Sequence, residues 1–187
     1  MTAGSAKPTK AGSLLREERG VSAIEFALIA PVMLVLYVGA VEIGNALTID
    51  RRVSLVASTA ADLVAQKKTT SNAELKDVAN AATGILTPYT TKPLKIVLTS
   101  VVADQNNKGK VAWSYASTGG GARPKNSAYT VPEGLTQANT SVIVAEVSYD
   151  FSPLLNLSGG LPNPGFFKMS QTFYARPRKS LTVAKSD

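Results

Sequence analysis

The sequence predicts an α+β protein: a long N-terminal transmembrane and amphipathic helix, a second short helix, then a small antiparallel sheet of about four strands. Three observations carry that prediction. An uncharged apolar run near the N-terminus passes into a helical stripe, a capping-box spacing opens a second helical pattern at Ser71, and beyond Pro93 the apolar residues alternate. The strands follow one another without the crossover helices that a parallel sheet requires, so helices and strands are segregated along the chain.

The chain has 187 residues, the length of one domain with an appended segment. Residues 1–20 read as a leader. They are small, polar and basic up to Leu15 and close on the charged hinge Arg16-Glu17-Glu18-Arg19-Gly20. Residues 21–43 read as a transmembrane helix. Phe26 to Val41 is a run of 16 residues without a charge, and as a helix it covers about 24 Å of a ~30 Å hydrocarbon core. Adding Val21 to Glu25 gives 21 residues, about 31 Å, which spans. A full crossing therefore puts Glu25 in the bilayer or at its edge. Lys7, Lys10, Arg16 and Arg19 hold the N-terminus in the cytoplasm, an asymmetry that Arg51 and Arg52 weaken without reversing. Pro31 lies inside the helix and has no N–H for the Ala27 carbonyl, so it marks a kink or a loosened turn. Prolines of this kind are common in membrane helices.

Residues 44–69 extend the helix, with Ile43, Leu47, Val53, Val56, Ala57, Ala60, Ala61, Leu63 and Val64 as its stripe. Residues 70–187 form the exported α+β domain. Its helix opens at Ser71-Asn72-Ala73-Glu74, carries Leu75, Val78, Ala79, Ala82, Ile85 and Leu86 on one face, and ends at Gly84 and Pro88. Leu94, Ile96 and Leu98 begin the first strand. Asp104 to Gly109 is a hairpin turn, and Val111, Trp113 and Tyr115 mark one face of the returning strand. Residues 117–138 form a Gly- and Pro-rich loop. Ser141 to Phe151 is the strongest strand, with Ile143, Ala145, Val147, Tyr149 and Phe151 on one face and Glu146, Ser148 and Asp150 opposite. A second loop, 152–165, leads to a last strand over Phe167–Ala175. Pro177 ends that strand, and Arg176, Arg178 and Lys179 lead into a polar tail.

Composition removes whole classes of chemistry. With no Cys and no His there are no disulfides, thiolates, imidazole bases or usual transition-metal ligands. The net charge is +7, and without residues 1–20 the remaining 16 basic and 11 acidic side chains balance at +5. No basic stripe with interleaved aromatics accompanies that charge, so no nucleic-acid partner is expected. Glu146 and Asp150 share a strand face but stand about 13 Å apart, unlike either glycosidase arrangement, and read as a solvated face. Gly119-Gly120-Gly121 is not followed by the Lys-Ser/Thr of a phosphate loop. No enzyme, cofactor or metal is expected. The two loops are the expected partner surface.

The residues Gly20-Val21-Ser22-Ala23-Ile24-Glu25-Phe26 resemble the processing site of type IV pilin-like proteins. The stretch SAIEFALIAPVML, then Val41-Glu42-Ile43-Gly44 and ADLVAQ at 61–66, resembles the TadE-like (TadE/TadG) family of minor pilins and pseudopilins of the Tad (Flp) pilus system. VIVAEVSYDFSPL and Tyr174-Ala175-Arg176-Pro177-Arg178 also look like exported regions of that family, less specifically. Two features depart from it: Asn45 stands where some relatives carry a basic residue, and the chain is shorter than forms with an added von Willebrand-type domain.

The resemblance implies a membrane-anchored minor pilin or pseudopilin that takes part in assembling a Tad/Flp adhesion pilus. A prepilin peptidase would cut after Gly20, leaving Val21 as first residue and Glu25 as fifth. Glu25 would then neutralise the terminal amine of a neighbouring subunit as the apolar helices pack. The implied partners are the peptidase, other pilins or pseudopilins, the Tad secretion machinery and inner-membrane lipid. The implied location is the bacterial inner membrane, single-pass, with the N-terminus cytoplasmic and the domain periplasmic, and a place in the pilus itself is open. Two alternatives remain on the residues alone: a secretory signal cut near Ala40, after Val38-Gly39-Ala40, releasing a soluble binding domain, or an uncut anchor for an envelope protein.

Overall fold

The computed structural model describes residues 18–117, 120–153 and 167–186. Most of the leader, and most of the expected loop at 152–165, lie outside the described residues. The contacts divide the chain into two units, Met1–Ile43 and Gly44–Asp187. Helix α1, Glu18–Ala65, supplies the described part of the first unit and the opening of the second. Glu18 to Gly20, read from the sequence as a hinge, are helical. Nothing in their composition forbids a first turn, and the apolar run behind them propagates it.

In the second unit the apolar stripe of α1 begins at Ile49. Ile49, Val53, Val56, Ala57, Ala60, Ala61 and Val64 are buried at the spacing of one helical face. Ile43 and Leu47, expected on that stripe, are exposed instead, and Leu63 is only half-buried. Ile43 lies six residues before Ile49, about 120° around the helix, and Leu47 lies six before Val53, so both face away.

After the two-residue strand β1 (Thr69–Thr70), helix α2 runs over Asn72–Thr83. Its N-terminus has the expected capping box: the Glu74 N–H donates to Ser71 Oγ (3.3 Å), and the Ser71 N–H donates to Glu74 Oε2 (3.1 Å). Leu75, Val78, Ala79 and Ala82 are buried, and a 3-10 turn over Gly84–Leu86 carries Leu86 into the same core. Arg52 of α1 holds this corner. Its guanidinium donates to the carbonyls of Ile85 (2.8 Å) and Thr87 and lies 5.5 Å over the Tyr89 ring.

The sheet contains β2 (Leu94–Ala103), β3 (Gly109–Ala116), β4 (Ser141–Phe151) and β5 (Phe167–Ala175) in the order β3-β2-β4-β5, every pair antiparallel. One face meets the helices through Leu94, Ile96, Leu98, Trp113, Ile143, Ala145, Val147, Tyr149 and Met169. The hairpin turn forms as read: Asp104 Oδ1 accepts from the N–H groups of Asn106 (3.0 Å) and Lys108 (2.9 Å), and Asn107 adopts φ 59°. The Lys108 hydrogen bond, followed by that of Asn106, holds the Asp104 carboxyl below its ordinary range.

The returning strand differs from expectation. The β2–β3 register slips between Ser100 and Val101, so Trp113 opposes Ser100 while Val111 opposes Val101. Ala112 is the extra residue of a β-bulge, and it flips the face. Val111 therefore does not share the face of Trp113 and Tyr115. Val101 belongs to a second small core with Val142 and Val144.

That second core overturns one reading of exposure. Tyr129 and Val131, from the stretch read as an exposed loop, pack on Val101, Val142 and Val144. The loop is fastened along β3: the Val111 N–H donates to Ser127 (2.9 Å), the Asn126 N–H to Val111 (2.8 Å) and the Tyr129 N–H to Gly109 (3.0 Å). Position 109 must be glycine, because a Cβ there would stand 2.4 Å from the Tyr129 carbonyl oxygen. Glu146 and Asp150 are both in ion pairs. Glu146 takes a two-point contact from Arg123 (2.9 and 2.6 Å), and Asp150 pairs with Lys95 (3.0 Å).

The polar tail is likewise built in. The Arg178 N–H donates to the Ala65 carbonyl (2.9 Å), and its guanidinium pairs with Asp62. Trp113 Nε1 donates to the Val183 carbonyl (2.8 Å), Val183 is buried, and strand β6 (Ala184–Lys185) pairs in parallel with β1.

Candidate functional site

The residues singled out from the sequence, Gly20, Val21, Glu25, Phe26 and Pro31, all lie on α1 in the first unit. They form one continuous helical stretch. Val21 and Glu25 are four apart, hence on one face with about 6 Å of rise between them. Ile29 and Val32 continue that face. Phe26 stands about 100° round from Glu25, and Pro31 sits within the helix without ending it.

Among the described residues, this segment buries no apolar face. Val21 is 58% exposed and Phe26 70%, and the large apolar side chains from Ile24 to Tyr37, with Val41 and Ile43, are exposed in every direction round the axis. A helix that is apolar all round is stable in an apolar medium or among other helices, not in water. Its most apolar window reaches a mean hydropathy of 2.2. By length and composition α1 can cross a membrane.

Carboxylates bracket the uncharged run. Glu25 precedes it and Glu42 follows it, and 17 residues of helix rise place them about 26 Å apart, close to a hydrocarbon thickness. Glu25 is exposed, and among the described residues no hydrogen bond or ion pair engages it. At position 20 an added Cβ would meet nothing, so packing does not require this glycine. What it does is weaken the first turn, by roughly 0.5–1 kcal/mol relative to alanine.

In the second unit the polar groups serve the fold. The hydrogen bond from Lys67, followed by that of the Ser71 N–H, holds the Glu74 carboxyl below its ordinary range. The Glu146 carboxylate raises the Arg123 guanidinium, which lies 4.7 Å over the Tyr129 ring. Burial, above all, raises the Tyr129 hydroxyl. Sequence reasoning missed the seating of the 123–131 segment and of the tail. The available signals were Tyr129 and Val131 in the first segment and Val183 in the second, apolar residues in otherwise polar stretches.

Residues 20–62 match the family model described as TadE-like protein, the family that the N-terminal motifs resemble. The match begins at Gly20 and covers Glu25, Pro31 and most of α1. Neither the curated proteins nor the solved structures give a match.

Proposed function

We infer that the chain is a minor pilin or pseudopilin, anchored by its N-terminal helix, that serves assembly of a Tad/Flp-type pilus and acts by packing rather than by catalysis. The family match over residues 20–62 supports the coarser part, a Tad-pilus-associated protein with an apolar N-terminal helix. The observation that carries the finer part is the exposed, unpartnered Glu25 one turn beyond Gly20-Val21, on a helix apolar all round.

The chemistry follows from that placement. The first turn of α1, weakened at Gly20, opens for a prepilin peptidase on the cytoplasmic side. Cutting the Gly20–Val21 bond creates an ammonium at the positive end of the helix dipole, the unfavourable end for a cation. The Glu25 carboxylate costs on the order of 2–3 kcal/mol at membrane depth on insertion scales. Bringing the carboxylate of one subunit to the amine of its neighbour neutralises both charges and fixes the stagger between helices. Pro31 leaves the Ala27 carbonyl free and gives the packed helices a point of adjustment. The inner membrane, with the domain periplasmic, is the location this reading requires.

N-terminal sequencing of the protein from membranes that contain the peptidase tests the cut. A start at Val21 is expected. A start at Val41 would favour a released domain, and an intact Met1 an uncut anchor.

A further inference from the structure

The four-stranded sheet is open, with β3 and β5 as its edges. β5 pairs with β4 from Phe167 to Ala175, and among the described residues no backbone group of Lys168–Ala175 bonds beyond that ladder. The strand contains no proline and one charge, Lys168, so it lacks most of the devices that blunt an edge. Phe173 is 42% exposed there, and a groove of about 720 Å³ runs between it and Ser58, Asp62 and Arg176. The other edge is half covered. Ser127, Asn126 and Tyr129 take up Gly109 and Val111, while Ala112 to Ala116 make no backbone bond outside the β2 ladder among the described residues. A cleft of about 750 Å³ borders this open part at Ala112, Trp113 and Ser114.

We propose that the exported domain takes up a second copy of itself edge to edge, β5 of one domain pairing with Ala112–Ala116 of β3 in the next. Strand direction selects this occupant and this pair of edges. In an antiparallel sheet of four strands the two edges run oppositely, so a copy displaced sideways without inversion offers β3 antiparallel to β5. The helix segment from Gly44 to Ala65 runs along β5 in the same sense, since Gln171 donates to Asp50 (3.0 Å) and Arg178 pairs with Asp62. Sideways displacement therefore keeps the Gly44 end of every domain on one side, as copies anchored in one membrane require. This step rests on the anchored reading above. A two-fold β5–β5 contact would reverse one domain and send its Gly44 end the opposite way.

The side chains suit the junction. Phe173 lies on the sheet face that carries Trp113 and Tyr115, and Ser170 and Thr172 lie on the face that carries Ser114. The paired stretches themselves, Ala112–Ala116 and Ser170–Tyr174, carry no charge. The contact joins different edges, so it leaves one of each free and continues from copy to copy.

The chain has no cysteine, which makes cross-linking clean. The full chain carrying Ser114→Cys with Thr172→Cys, expressed in membranes and treated with a short bismaleimide, is expected to give a ladder of dimers, trimers and larger products. Each single variant is expected to stay monomeric, and the two single variants expressed together to stop at dimers. Cross-linking of Thr172→Cys alone would overturn the proposal in favour of two-fold pairing. A double variant that melts like the parent and gives no ladder would overturn it as well. Adding Ser170→Lys to the double variant should suppress the ladder, and an unchanged ladder would place the contact elsewhere. Sedimentation of the same samples reads anchorage separately, because a ladder from protein in the soluble fraction would remove the anchored reading and keep the edge contact.

Discussion

At the scale of the residue, Glu25 and Glu74 show what a carboxylate does with and without a partner. Glu74 has Lys67 and the Ser71 N–H, and its folded pKa lies below its ordinary 4.5. A carboxyl depressed in the folded state stabilises it above the unfolded pKa, and that contribution disappears as pH falls through the folded value. Thermal melts between pH 6 and pH 3 are expected to lose this contribution on acidification, and Glu74→Gln should flatten that part of the profile. Glu25 has no such partner within the described chain. Replacing it with Ala should leave the cut after Gly20 in place while incorporation into pili falls, read by N-terminal sequencing beside immunoblots of sheared pili. Unchanged piliation would mean that the carboxylate is only interfacial. Arg123 is a third case. Arg123→Ala removes the two-point pair with Glu146 and the contact over Tyr129, and should cost about 1 kcal/mol in urea unfolding, because the group is partly exposed.

At the scale of the element, local chemistry was legible and non-local seating was not. Ser71 and Glu74 announced the start of α2 because a cap is satisfied within four residues. Ser71→Ala should therefore cost about 1 kcal/mol in chemical denaturation. The alternation in β4 announced its buried face, since side-chain direction along a strand has period two. The bulge at Ala112 was illegible: it depends on the register against β2, and the pattern of Val111, Trp113 and Tyr115 reads as clean alternation. The tail escaped for a similar reason. Its residues, Arg178, Leu181, Val183, Ala184 and Ser186, bond through their backbone groups to Ala65, Lys68, Thr70 and Ser141, and a backbone hydrogen bond leaves no mark in a sequence. Trp113→Phe removes the donor to the Val183 carbonyl and should destabilise the fold by about 1 kcal/mol, with hydrogen exchange at the Ala184 and Ser186 amides rising first.

At the scale of the whole molecule, the two units follow different rules. Gly44–Asp187 buries its apolar side chains on both faces of a sheet and has the core of a water-soluble domain. In the unit before it, the helix leaves its large apolar residues exposed. The residues proposed for the site can be picked out in the sequence because their signal is one-dimensional: a glycine, a carboxylate five residues on, and an uncharged run of spanning length. The edge position of β5 cannot, because being an edge is a property of strand order. On the proposed function Gly20 ends the leader and Val21 begins the working protein, and N-terminal sequencing of the membrane-extracted chain, with and without the cognate peptidase, decides it. Val21 is expected as first residue with the peptidase and an intact leader without it; a start at Val41, or an intact leader in both, would contradict the cut after Gly20.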